Sequence, residues 1–180
     1  MRKISIVLTV LLSIFIISCE GPIGPPGYDG RDGQDGVNIL GKVIDIEGDF
    51  LPDDYFIFYE FPQTVEVFET DVVLVYILWE QTEDGNGEPV DIWRLLPQTR
   101  LLDQGILQYN YDYTFFDVSI FLEADFDLIT LAPGDTDAQV FRIAILPAEF
   151  AASKLDKSSI EAVMATLGVT EKDVQKVKLN

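Results

Sequence analysis

The side chains able to do chemistry form a lopsided set. The 180 residues include one cysteine, Cys19, no histidine, and 31 Asp and Glu against 12 Lys and Arg. Without histidine there is no Ser-His-Asp or Cys-His catalysis and no histidine metal site. The one glycine-rich stretch lacks the lysine that a phosphate-cradling loop needs. Carboxylates remain, and two of them suffice for glycoside hydrolysis. In so acidic a chain a pair of acids carries little information, and spacing alone sets no pair across a cleft. The expectation is a chain with no catalytic residue, no metal and no cofactor, and not an enzyme; a carboxylate glycoside hydrolase is the least favoured alternative.

Aromatic side chains are the other candidates. Trp79, Trp93 and the stripe Tyr109, Tyr111, Tyr113 would suit sugar rings if they faced water. The tyrosines alternate with Gln108, Asn110 and Asp112, which places the stripe toward a core and the polar set outside. Trp79 shares a face with Val73, Val75 and Ile77 and reads as core. Trp93 lies between Ile92 and Arg94, and its direction stays open. Asp84, Asn86 and Glu88 have the look of a calcium loop. An EF-hand would need glycine at position 89 and glutamate at 95, where the chain has Pro89 and Leu95. Asp84-Gly85-Asn86-Gly87 is instead a hairpin turn signal.

Cys19 closes an N-terminal segment with a recognisable layout. Arg2 and Lys3 precede an apolar run from Ile4 to Ile17, and no acidic residue occurs before Cys19. The run is short for a membrane span of about 20 residues and suits a signal peptide, residues 1–18. Its end, Ile16-Ile17-Ser18-Cys19, resembles the bacterial lipobox. That resemblance implies thioether lipidation of Cys19, cleavage before it and acylation of the new N-terminus, so that membrane lipid is the anchor. Each buried methylene contributes about 0.8 kcal/mol and a single chain binds only marginally, so several chains on one cysteine would hold firmly. With Cys19 lipidated no thiol is left for a disulfide, and the folded part must rest on its core.

Residues 19–38 form a distinct segment. Glycine recurs at every third position, Gly21, Gly24, Gly27, Gly30, Gly33 and Gly36, with Pro22, Pro25 and Pro26 early and Asp29, Arg31, Asp32 and Asp35 later. The period resembles collagen, where only glycine fits the axis of three polyproline-II chains. Two readings stand: an extended tether at about 3.1 Å per residue, and weak trimerisation through the repeat.

Residues 39–147 read as one acidic all-β domain. Strand patterns occur at Ile39–Ile46, Tyr55–Phe61, Val72–Trp79, Val90–Leu96, Ile106–Tyr113, Phe116–Leu122 and Val140–Leu146. Val72–Trp79 is apolar on both faces, as in a buried central strand. About seven short strands at this spacing predict an antiparallel β-sandwich of immunoglobulin-like architecture, without the immunoglobulin cysteines. In residues 148–180 the pattern turns helical. Ser158 with Glu161 forms a capping box, Gly168 ends that helix, and Thr170 with Asp173 opens another. These short helices are expected to pack on the sandwich.

From Val37 to Pro147 there are 22 acidic and 4 basic residues, and from Ala148 onward five of each. Such a domain is repelled by nucleic acid and by anionic headgroups. Lipobox, collagen-like triplets and acidic β domain together resemble a group of envelope lipoproteins of Gram-negative bacteria with short collagen-like N-termini. The resemblance rests on Met1 to about Gly36. It implies a cell-envelope location, on the outer membrane, since Glu20 follows the cysteine where inner-membrane retention uses aspartate. It assigns no site residue beyond Cys19. The expected function is a membrane-anchored, non-catalytic β domain with structural or interaction roles, with a protein or glycan partner left open. The alternative is a glycan- or calcium-dependent ligand-binding module.

Overall fold

A computed structural model describes residues 41–179. Nine strands run in two sheets: β1 (Lys42–Gly48), β2 (Phe56–Glu60), β3 (Val72–Glu83), β4 (Pro89–Leu95), β5 (Gln98–Leu102), β6 (Gly105–Tyr113), β7 (Asp117–Ala124), β8 (Gln139–Leu146) and β9 (Gln175–Lys178). One sheet has the order β4-β3-β8-β1-β9 and the other β2-β7-β6-β5. The two share one core, because strand alternation sends every second side chain inward. Ile44, Ile46, Val73, Val75, Ile77, Phe141, Ile143 and Ile145 from the first sheet meet Ile57, Tyr59, Leu107, Tyr109, Val118, Ile120 and Leu122 from the second. The strand-rich, two-sheet character expected from the sequence is therefore present.

Two strands exceed the expected seven. β5 follows Pro97 directly, across the cis Leu96–Pro97 bond where the chain passes between sheets, and Pro97 had marked the end of a strand pattern. β9 occupies part of the stretch expected to be helical. Thr170 and Asp173 make a single turn, with the Thr170 amide and hydroxyl both donating to Asp173 Oδ2 at 2.9 and 2.6 Å. The chain then pairs with β1, and this pair is parallel, so the sheet is not purely antiparallel.

Short helical turns lie at Pro133–Thr136 (α1) and Ala148–Ala151 (α2), with one longer helix at Ile160–Leu167 (α3). The cap of α3 is Ser159 rather than Ser158: its hydroxyl accepts from the Ala162 amide at 3.2 Å, while Ser158 bonds Asp156. That shift of one residue aligns Ile160, Val163, Met164 and Leu167 on one face. Gly168, at φ +67°, ends the helix as expected, with its amide and that of Val169 turned back onto Ala165 and Met164.

The apolar face of α3 explains why β3 is apolar on both sides. Val73, Val75 and Ile77 enter the inter-sheet core. Leu74 and Tyr76 point outward with Val43, Ala144 and Leu146, and α3 covers them. The Tyr76 hydroxyl donates to the Lys157 carbonyl at 2.6 Å, which fastens the segment before α3 to the sheet. The signal peptide, Cys19 and the Gly-X-Y stretch lie outside the described residues.

Candidate functional site

The outer face of the five-stranded sheet is covered by α3 on one side only. The other side is an open cleft of about 360 Å³. Its floor is built by outward positions of adjacent strands: Asp45 and Glu47 on β1, Arg142 on β8, Leu78 on β3, Asp91 and Trp93 on β4. Lys176 and Lys178 of β9 and Glu171 of the preceding turn form its rim. A residue between Leu78 and Glu80 breaks the β3–β4 register, and Gln81 then faces Asp91, donating to it at 2.8 Å.

Arg142 is the centre of this cleft and is only 2% exposed. Register places it directly opposite Asp45 on β1. Its Nε and Nη2 donate to the two Asp45 oxygens at 2.7 and 2.9 Å. Its Nη1 and Nη2 donate to the two Glu171 oxygens at 2.6 and 2.8 Å. The guanidinium also lies 4.3 Å from the Trp93 ring centre. Burial pulls its pKa down, but the hydrogen bonds and charges of Asp45 and Glu171 outweigh burial and hold it above its ordinary value. The fork geometry of arginine suits two bidentate carboxylates at once. The result is a clasp joining β1, β8 and the turn before β9.

This saturation limits the chemistry on offer. All four oxygens of Asp45 and Glu171 already accept from Arg142, so neither carboxylate stands free as an acid or nucleophile. Trp93, whose direction the sequence left open, points outward into this cleft and packs beside Leu95 and the α3 layer. Trp79 turns inward as expected and packs on the core, with the guanidiniums of Arg94 and Arg100 at 4.2 and 5.1 Å from its ring centre. Both indoles are thus engaged by arginine, an arrangement that is favourable in its own right.

The tyrosine stripe enters the core as its alternation predicts and climbs out at its end. Tyr109 is fully buried and donates to the Asp135 carbonyl at 2.9 Å, Tyr111 donates to the Val73 carbonyl at 3.2 Å, and Tyr113 is exposed. Burial pushes the Tyr109 phenol up to about 12, against the pull of Arg100. Arg100 itself pairs with Asp135 at 2.7 Å.

The Asp84 loop is a turn built on its own carboxylate. Asp84 Oδ1 accepts from the amides of Glu88 and Asn86 at 2.9 and 2.7 Å, and Gly87 takes φ +82°. These bonds hold the Asp84 carboxyl below its ordinary pKa. Among the described residues no three Asp, Glu, His or Cys side chains cluster as a metal site. The Asp45–Arg142–Glu171 set was invisible in the sequence, because its members are 97 and 29 residues apart. A lone arginine in the otherwise apolar stretch from Val140 to Leu146 was the available signal. Comparison with protein-family models, curated proteins and solved structures returned no match for this chain.

Proposed function

We propose that this chain is a lipid-anchored envelope lipoprotein of a Gram-negative bacterium whose β domain is non-catalytic and serves an interaction or structural role. The observation that carries the proposal is the placement of the sole cysteine, Cys19, behind Ser18 at the end of the Ile4–Ile17 apolar run. Membrane lipid is then held through Cys19, outer-membrane placement follows from Glu20 after the cysteine, and the Gly-X-Y stretch is a tether with at most weak trimerisation. The absence of catalysis is supported by the cleft, whose buried charges are spent on one another. Nucleic acid is disfavoured as a partner by the net charge of −19. Within this proposal the domain is immunoglobulin-like in architecture, two sheets over one core, with two strands more than the seven of that pattern.

Palmitate labelling tests the anchor. Wild-type chain should incorporate label and Cys19→Ala should not; continued incorporation in the variant would refute it. The non-catalytic part fails if the purified chain hydrolyses a glycoside and Glu171→Gln abolishes the turnover. A second reading, a glycan-binding module, draws on Trp93, Gln81 and Asp91 lining one open cleft. It predicts binding of a neutral oligosaccharide, measured by calorimetry, that is lost in Trp93→Ala.

A further inference from the structure

Two sheets have four edges, and three of them offer little to a further strand. β4 begins with Pro89, which has no amide to give, and its pairing with β3 is broken between Leu78 and Glu80. β9 is four residues long and carries Lys176 and Lys178. β5 turns only Thr99 and Leu101 away from β6, since the carbonyl of Ile106, opposite Leu101, already accepts from the Asp125 amide on its far side. β2 is the exception. It pairs with β7 alone, and no proline, lysine or register break interrupts Phe56–Glu60.

The bonds at either end of β2 fix which way its backbone points. The Leu122 amide donates to the Tyr55 carbonyl at 3.2 Å, and the Phe61 amide donates to the Phe116 carbonyl at 2.8 Å. Bonded and non-bonded pairs alternate along an antiparallel ladder. Ile57 and Tyr59 therefore bond β7, while Phe56, Phe58 and Glu60 turn their N–H and C=O groups to the open edge. Among the described residues nothing bonds those groups from that side. The same three residues set their side chains on the outer face of the sheet. Phe58 is 48% exposed and stacks beside Phe56, with ring centres 6.1 Å apart, and Glu60 is exposed. Period two puts Asp112, Asp117 and Glu123 on that face as well. Arg100, the only cation in these four strands, turns inward to Asp135.

We propose that the β2 edge takes an extended segment of a partner protein as a fifth, antiparallel strand, with a lysine or arginine opposite Glu60 and apolar side chains opposite Phe58 and Phe56. The proposal rests on the reading of the domain as an interaction module and names the chemistry of its partner. Backbone bonds to Phe56, Phe58 and Glu60 supply affinity, and the alternate side chains supply selectivity. Charge decides the occupant: an outer face with acids and no cation is complementary to a basic segment. A second copy fits less well. Twofold pairing about Phe58 sets Glu60 of each copy against Phe56 of the other, and it joins two domains that each carry 22 acidic and 4 basic residues from Val37 to Pro147.

The test uses the full chain in nonionic detergent and a blocked peptide with lysine, valine and valine at alternate positions and threonine between them, read by calorimetry. A second peptide has glutamate in place of the lysine. Wild-type chain should prefer the lysine peptide by roughly two- to thirtyfold, because one attractive cross-strand pair is exchanged for a repulsive one. Glu60→Lys, at an exposed position, should invert that preference with the melting temperature held. N-methylation of the middle valine, whose N–H would meet the Phe58 carbonyl, should abolish binding. N-methylation of the threonine before it, whose N–H points away, should leave binding in place. No binding by wild-type chain overturns the proposal. Equal loss from both methylations does so too, since no ladder is then formed, and so does a lysine preference that survives Glu60→Lys, which marks diffuse charge attraction. Sedimentation showing dimers that Phe58→Lys dissolves, with no peptide bound, would put a second copy on this edge instead. None of these outcomes touches the non-catalytic reading, which only substrate turnover overturns.

Discussion

Removing Arg142 should destabilise the domain far more than its place on a rim-lined cleft suggests, and removing its buried partner as well should restore most of the loss. Arg142→Met keeps the volume of the stem but leaves Asp45, itself only 7% exposed, directly across the β1–β8 ladder with no counter-charge. Breaking a buried pair from one side costs about 3–5 kcal/mol. For a chain of this size that is roughly 6–20 °C of melting temperature. Asp45→Leu alone should cost a similar amount by stranding the guanidinium between one exposed acid and Trp93. The double variant removes both charges together, and apolar replacements of buried pairs are often near neutral. Glu171 is the internal control: its side chain is 68% exposed, so Glu171→Gln should cost at most about 1 kcal/mol in spite of equally short bonds. Urea unfolding followed by fluorescence and far-UV dichroism gives all four values, and Trp93 reports on the site directly. If the two single penalties simply add in the double variant, the clasp is not a coupled unit. If Glu171→Gln costs as much as Asp45→Leu, burial is not what sets the energetics.

Two further outcomes follow from the core. Leu74→Ala uncovers the α3 side of β3 and Ile77→Ala the inter-sheet side; each should cost about 2–5 kcal/mol in urea unfolding with the β-type spectrum retained, and a variant as stable as wild type would contradict the two-sided burial. Alkaline pH should unfold the domain through its tyrosines: the unfolded phenol ionises near 10 and buried Tyr109 near 12, so stability present below pH 10 falls by about 1.4 kcal/mol per unit between the two. Tyrosinate absorbance should rise together with loss of structure, and Tyr109→Phe should soften the loss; full ionisation near pH 10 in an intact fold would refute it.

How much was legible in the sequence depended on whether a signal was local. β3, β6, β7 and β8 carry their own evidence in apolar runs or strict alternation, and the inward turn of Trp79 and Tyr109 follows from period two alone. The Asp84 hairpin is likewise a matter of four residues. β5 was missed because Gln98-Thr99-Arg100 reads as a loop after proline, yet a hairpin with β6 makes it a strand: Gly105, at φ +147°, is the position that lets it turn. β9 was missed for a related reason. Gln175–Lys178 has a single apolar residue, Val177, and is a strand only because β1 offers a free edge. The clasp could not be read at all, since nothing local links Asp45 to Arg142. The direction of Trp93 depended on that pairing and was lost with it.

The way charge is distributed between the body of the domain and its tail has a structural counterpart. The tail supplies the basic residues that the acidic sheet lacks, and it delivers them at an edge. β9 is four residues long, and its Lys178 bonds Glu47 at 2.6 Å while Lys176 lines the same cleft. Short, lysine-bearing edge strands resist pairing with other chains, so this edge is closed to strand addition. β4 begins with Pro89, which has no amide to offer, and so protects the opposite edge of the same sheet. The five-stranded sheet is therefore guarded along both edges and, for much of its outer face, by α3 or by saturated charge. Exposed apolar side chains collect elsewhere, among them Phe56 and Phe58 on the outside of β2 and Phe68, Phe115 and Phe116 at the loop end. Of these two places, the loop end sets its aromatics beside a largely buried carboxylate, Asp71, whose Oδ2 accepts from the Phe68 amide. The fold thus spends its edge protection and its charge pairs on the five-stranded sheet and leaves these exposed phenylalanines to the second sheet and the loop end.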